Sequence, residues 1–326
     1  MHIKPSPFRL APLAVASMVL IWSAGAAHAA PVLGALTTAS VNSIAAPTTG
    51  PGTDPSWVTS SSFIANTLGR GIGYAFAANF GAYTVSSSAT GIATGTAKAS
   101  FDNTFTNTSG VEQFYTLNFF IYGGSISTTV FAPAGLSDGE FLKAGYGASI
   151  KFNGNTVFSS AAELLRDDDN NTPPLTTSGT ALNGGTLSVS GDTYFWDSAT
   201  YSVSLGLVAA GATFNILAEV LDYAEADVGV YNFTGGGGYG GCGSGYGDLP
   251  SEGQPAAALP GVDCFKGAAR AFYGDPLDVN ASPPPGQFQL IPSVVPEPGS
   301  LGLVAGALGA GLLAMRRRRR DGPDQG

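Results

Sequence analysis

The stretch that most restricts the fold of this chain is VEQFYTLNFFIY, residues 111 to 122. Tyr115, Leu117, Phe119 and Ile121 fall on one side of an extended chain, and Glu112, Thr116 and Asn118 on the other. A period of two is the repeat of a strand, whose successive side chains point to opposite faces, whereas a helix repeats every 3.6 residues. One face of this segment must be buried while the other meets water. Its backbone donors and acceptors also need partners along both edges, so further strands must lie beside it.

Those strands are legible. Upstream, ASFDNTFTNTSG sets Phe101 and Phe105 on a common face and ends in the turn formers Asn107, Thr108, Ser109 and Gly110. A hairpin joining it to VEQFYTLNFFIY is the expected result. In YGASIKFNGNTVF, Tyr146, Ala148, Ile150 and Phe152 alternate with Gly147, Ser149, Lys151 and Asn153. Asn153-Gly154 can adopt the positive φ angles of a tight hairpin turn. Further strands are expected in TLSVSGDTYFW, in TYSVSLGLV (Tyr201, Val203, Leu205 and Leu207 together) and in TFNILAEVL (Phe214, Ile216, Ala218 and Val220 together). Residues 159–166, SSAAELLR, are the one short helix expected here. Eight or more antiparallel strands, each with one apolar face, must bury those faces against another sheet. The fold class is therefore all-β, an antiparallel β-sandwich for which the jelly-roll is one arrangement.

Composition sets the boundaries. Residues 31–60 are rich in Pro, Thr, Ser and Gly and read as a flexible lead-in, extending to about residue 67. After Phe233 the tract GGGGYGGCGSGYG holds nine glycines in thirteen residues, and Pro, Gly and Ala stay frequent to Pro292. Residues 235–293 thus read as a Gly/Pro-rich appendage and linker, with SPPPG at 282–286 favouring extended polyproline geometry. The β-sandwich domain is assigned to residues 30–234.

Both ends carry targeting features. Lys4 and Arg9 precede an apolar run from Leu10 to Ala27, and Ala27-His28-Ala29 supplies the small residues a signal peptidase requires. Residues 1–29 are read as a signal peptide cut after Ala29. Between residues 30 and 295 there remain 7 basic and 20 acidic side chains, a net charge near −13. A field of that sign repels phosphate backbones, which argues against a nucleic-acid partner. Both histidines, His2 and His28, lie in the signal peptide. Their loss removes Ser-His-Asp and Cys-His catalysis, and the usual nitrogen ligand of zinc.

The remaining candidates each have a plain structural reading beside the functional one. Cys242 and Cys264 enclose 21 residues, and in an oxidising compartment a disulfide between them is expected. Asp167, Asp169 and Asn171 place oxygen ligands at alternate positions as a calcium loop would. The sixth and twelfth positions are Thr172 and Ser178, however, so a solvated acidic turn explains them as well. No cofactor is implied: Gly238 to Gly243 fits G-x-G-x-x-G through glycine abundance alone. Glu219, Asp222, Glu225 and Asp227 could include a glycosidase pair, or be surface charge in a loop at a strand end. Trp57, Tyr194 and Trp196 could stack on sugars, or pack in the core. Asn-x-Ser/Thr matches at Asn107, Asn170, Asn232 and Asn280 are assigned no role.

The C-terminus carries Pro296-Glu297-Pro298, then an apolar segment from about Gly299 to Met315, then Arg316, Arg317, Arg318, Arg319 and Arg320. Sixteen helical residues span roughly 24 Å, short of the ~30 Å hydrocarbon core, and the arginines would stay on the cytoplasmic side. This order, residues 294–320, resembles the PEP-CTERM sorting signal of Gram-negative bacteria. The resemblance implies a single C-terminal transmembrane helix and recognition of the Pro-Glu-Pro motif by an exosortase-type membrane enzyme. It also implies association with exopolysaccharide and biofilm, with the membrane as partner before processing. Location would be the periplasm, outer surface or extracellular matrix after export through the inner membrane. The function expected is that of a non-enzymatic surface or matrix protein, with a carbohydrate-binding module as alternative and a glycoside hydrolase third.

Overall fold

The computed structural model of the chain describes residues 27–28, 30–46, 48–54, 57–78, 83–169, 174–232, 263–274 and 288–294. Among these residues the chain is all-β and antiparallel. The strands are β1 (Ala27–His28), β2 (Val32–Val41), β3 (Ile44–Ala45), β4 (Thr48–Asp54), β5 (Trp57–Asn66), β6 (Gly69–Ala78) and β7 (Tyr83–Thr106). They continue as β8 (Gln113–Ile121), β9 (Gly124–Val130), β10 (Phe141–Phe152), β11 (Asn155–Asp167), β12 (Leu175–Gly179), β13 (Thr186–Leu187) and β14 (Thr193–Trp196). The last are β15 (Ala199–Val208), β16 (Thr213–Asp227), β17 (Val230–Asn232), β18 (Asp263–Phe265), β19 (Gly267–Tyr273) and β20 (Phe288–Val294).

The organising element is β7. Its first half pairs with β6 on one edge and β19 on the other, and its second half pairs with β2 and β16. The halves meet at Gly91, whose φ of +70° lies in the left-handed region that L side chains avoid. A Cβ there would also run into the Leu68 carbonyl, Gly69 and the Phe265 ring. Beyond this bend the sheet continues as two wings. The β16 wing runs β16-β10-β11-β12, and the β19 wing runs β19-β9-β14-β13. Instead of two separate sheets, one fifteen-stranded sheet curls into a nearly closed, barrel-like form. A second sheet, β15-β8-β20, covers the far end of the β16 wing. The Phe119 ring meets Phe158 edge-on at 4.9 Å, Tyr115 packs on Phe214 at 5.1 Å, and Phe288 stacks on Phe101 at 5.2 Å.

Where β2 and β7 cross β5 and β6, the core is built from very small residues. Inward positions of β6 are Gly69, Gly71, Gly73, Ala75 and Ala77, and those of β7 include Ala89, Ala93, Gly95, Ala97 and Ala99. Thr37 Oγ1 and Ser60 Oγ share a buried hydrogen bond of 2.9 Å across this layer. The backbones approach so closely that a Cβ on Gly95 would overlap the Ile72 carbonyl oxygen.

Several expectations change. Residues 31–60 are no loose lead-in: β2 and β5 lie there, with Thr37, Ala39, Val41, Val58 and Ser60 buried. Residues 159–166 belong to β11, not a helix, because twelve register pairs with β10 override the helix propensity of Ala, Glu and Leu. Nor do β7 and β8 form a hairpin. Asn107 turns the chain away, its Nδ2 donating to the carbonyls of Val111, Val208 and Ala209 while its Oδ1 accepts from Ser109. The expected Asn153-Gly154 turn is present, with φ of 49° and 81° joining β10 to β11. In β15 a bulge at Gly206, φ +89°, reverses the facing, so Val208 is buried and Leu207 exposed. The proposed appendage at 235–293 contains β19, which lies inside the sheet between β7 and β9, and β20. Its glycine-rich tract and the SPPPG linker lie outside the described residues, as does the segment expected to form a C-terminal helix. Among the described residues no helix is long and apolar enough to cross a membrane.

Candidate functional site

The structure distributes the sequence candidates between the interior and two outer faces. Tyr194 and Trp196 are interior, 6% and 3% exposed, and offer no face to a sugar. The Trp196 ring packs on Tyr146 at 4.4 Å and Tyr273 at 5.6 Å, and its Nε1 donates to the Tyr122 carbonyl at 3.0 Å. Strand alternation explains the burial, since both residues share the inward face of β14 with its neighbour Ile126. Core packing is the role of this pair.

Glu219, Asp222, Glu225 and Asp227 lie within β16 and not in a loop. Odd positions face outward and even ones inward, so Asp222 stands on the opposite face from the other three. Glu219 receives Lys98 at 2.5 Å and Lys151 at 3.3 Å; hydrogen bonding from Lys98, aided by Lys151, holds it below the usual carboxylate range. Asp222 is completely buried and neither carboxyl oxygen has a hydrogen-bond partner. Burial raises its pKa well above the ordinary value, opposed weakly by the nearby Tyr273 amide. Two carboxylates on opposite faces of one strand cannot flank one glycosidic bond.

Cys264 is buried and disulfide-bonded, and its strand β18 pairs with β17. The other cysteine, Cys242, lies outside the described residues. Asp167 ends β11 opposite Phe141 and Asp169 sits in the following turn, while Asn171 lies outside the described residues. Pro296, Glu297, Pro298 and Arg316 to Arg320 are also outside them, two residues and more beyond the end of β20. Asn107 is fully buried, which explains its sequon as a structural asparagine.

Trp57 is the sugar-stacking candidate that stays at the surface. It is 39% exposed, stacked on Phe76 at 6.3 Å, on the outer face of the β19 wing and its continuation through β7, β6 and β5. Because the inward positions of β6 are glycine and alanine, its bulky residues, Ile72, Tyr74 and Phe76, all stand on the outer face. Phe63 is 54% exposed beneath the Arg70 guanidinium, 5.0 Å from its centroid, and Phe195 is 42% exposed on β14. Serine and threonine fill most positions between these rings. This face combines stacking surfaces, hydroxyls and guanidinium groups, an arrangement suited to an amphipathic polar ligand. The sequence reading missed it because its residues come from six strands scattered between residues 57 and 273. The inverted pattern of GRGIGYAFA, small inside and large outside, was the available signal.

The opposite outer face, on the β16 wing, differs. Its lysines are bridged to carboxylates: Lys98 and Lys151 to Glu219, and Lys143 to Glu163 at 3.4 Å. Compared with protein-family models, with curated proteins and with solved structures, the chain matches none of them.

Proposed function

We propose that the chain is an exported, non-enzymatic surface or matrix protein, sorted by an exosortase-type system and associated with polysaccharide outside the cell. The observation that carries this reading is the C-terminal order of Pro296-Glu297-Pro298, apolar segment and arginine cluster, opposite an N-terminal signal peptide. In this reading the folded part is a sandwich-like body of jelly-roll character. It is delivered to the membrane by a transient helix near residues 299–315, with Cys242 and Cys264 bridged in the oxidising compartment.

The alternative, a carbohydrate-binding module, draws support from the outer face that carries Trp57, Phe63 and Phe195. The two readings are compatible, since a matrix protein can be held in place by binding glycan. Glycoside hydrolysis by Glu219 and Asp222 is set aside because they lie on opposite faces of β16.

Replacing Pro296, Glu297 and Pro298 together by alanine tests the sorting. In the native host the wild-type chain is expected at the cell surface or in the matrix, and the variant in the membrane fraction. Identical distribution of the two would overturn the reading.

A further inference from the structure

We propose that the outer face spanning β5, β6, β7, β19, β9 and β14 binds an extended polysaccharide bearing carboxylates, laid across the strands. The inference deepens the reading of the chain as a polysaccharide-associated protein and rests on it. The register places Ser61, Tyr74, Ser86, Phe272, Ser125 and Phe195 in a single row, one residue from each strand. Hydroxyls and rings alternate along it. Neighbouring strands are about 4.8 Å apart, so successive rings recur about every 10 Å. That is close to the length of a disaccharide unit in an extended pyranose chain. Every second sugar can then rest its C–H face on a ring, while the sugar between meets a serine hydroxyl.

The charge of the face selects among glycans. Residues 30–295 hold three arginines, and two of them, Arg70 and Arg270, stand at outward positions here. Among the described residues, no outward position of β5, β6, the first half of β7 (residues 83–90), β19, β9 or β14 is Asp or Glu. In a stretch with 20 acidic and 7 basic side chains, the charged residues at the described outward positions of this face are the two arginines. Guanidinium groups bind carboxylates through paired N–H donors and also stack on rings, as Arg70 does on Phe63. Arg270 sits in the row adjacent to Phe272, so a uronic-acid carboxylate projecting from a stacked chain would meet it.

The test uses the purified full chain with polygalacturonate and a soluble neutral β-glucan, measured by calorimetric titration at physiological ionic strength. Arg316 to Arg320 also attract a polyanion, so every comparison is between proteins that share that tail. Wild type is expected to bind polygalacturonate in preference to the glucan. Phe63→Ser with Phe195→Ser, both at exposed positions, should weaken binding at least about tenfold with an unchanged thermal midpoint. Arg270→Gln should narrow the preference for the acidic polymer relative to wild type. Lys98→Gln on the opposite face should bind as wild type. Undiminished binding by the double Phe variant, or equal affinity for the two polymers, would overturn the proposal. Neither outcome alters the cellular distribution that tests the sorting signal, so the two failures are distinguishable.

Discussion

Asp222 is a carboxyl group wholly removed from water. It reaches the core because it occupies an even position of β16, in series with Val220 and Ala224, and strand alternation leaves it no other direction. A carboxylate buried without hydrogen bonds is costly, so the folded protein favours the protonated form. The sign of the linkage follows. With the folded-state pKa raised, stability is greatest below the unfolded value near 3.8 and falls as pH rises toward the folded-state value. The slope is at most about 1.4 kcal/mol per pH unit for one group. Asp222→Asn removes that dependence. In denaturant unfolding from pH 4 to pH 8, wild type should lose stability relative to Asp222→Asn as pH rises; parallel curves would show that Asp222 does not titrate in this way. Glu140 shows the contrasting solution. Burial would raise its pKa, but the Ser137 and Gly229 amides and Lys266 at 2.9 Å outweigh burial and lower it.

At the scale of elements, what was legible depended on the size of the inward residues. Strands β8, β10 and β16 carry large apolar side chains inward, so Tyr115, Leu117, Phe119, Ile150, Phe214 and Ile216 announced them directly. Strands β2 and β19 bury Thr37, Ala39, Ala269 and Ala271 instead, and their segments read as lead-in or linker. Periodicity of hydrophobicity fails where the core is thin enough to need glycine. The bend at Gly91 was hidden for a related reason, since one glycine among Ser, Thr and Ala carries no local mark of a chain that changes wing. The close approach has a measurable consequence. Gly95→Ala must push a Cβ into the Ile72 carbonyl, and overpacking of this kind costs about 1–3 kcal/mol, occasionally more. Chemical denaturation should place it at the upper end of that range, with Gly147→Ala, whose Cβ would meet nothing, near neutral. Equal stability of both variants would refute the tight packing of this layer.

For the whole molecule, the two outer faces divide the chemistry. One is a polar plane whose lysines are neutralised by Glu219 and Glu163, and the other carries rings, hydroxyls and arginines without outward carboxylates among the described residues. Of this second face the sequence reading named Trp57 and missed the rest, because a row across six strands exists only once their register is set. Its two other aromatic candidates, Tyr194 and Trp196, went to the core, where one residue of parity separates them from the exposed Phe195. The central claim is that a carboxylate-bearing chain lies along that row. Cysteines introduced singly at Ser61, Ser125 and Ser178 can be labelled with a thiol reagent with and without polygalacturonate. Ser61→Cys and Ser125→Cys, at the start and near the far end of the row, should both be protected, while Ser178→Cys on the opposite wing should label at an unchanged rate. Labelling of all three at the same rate with and without the polymer would contradict the account.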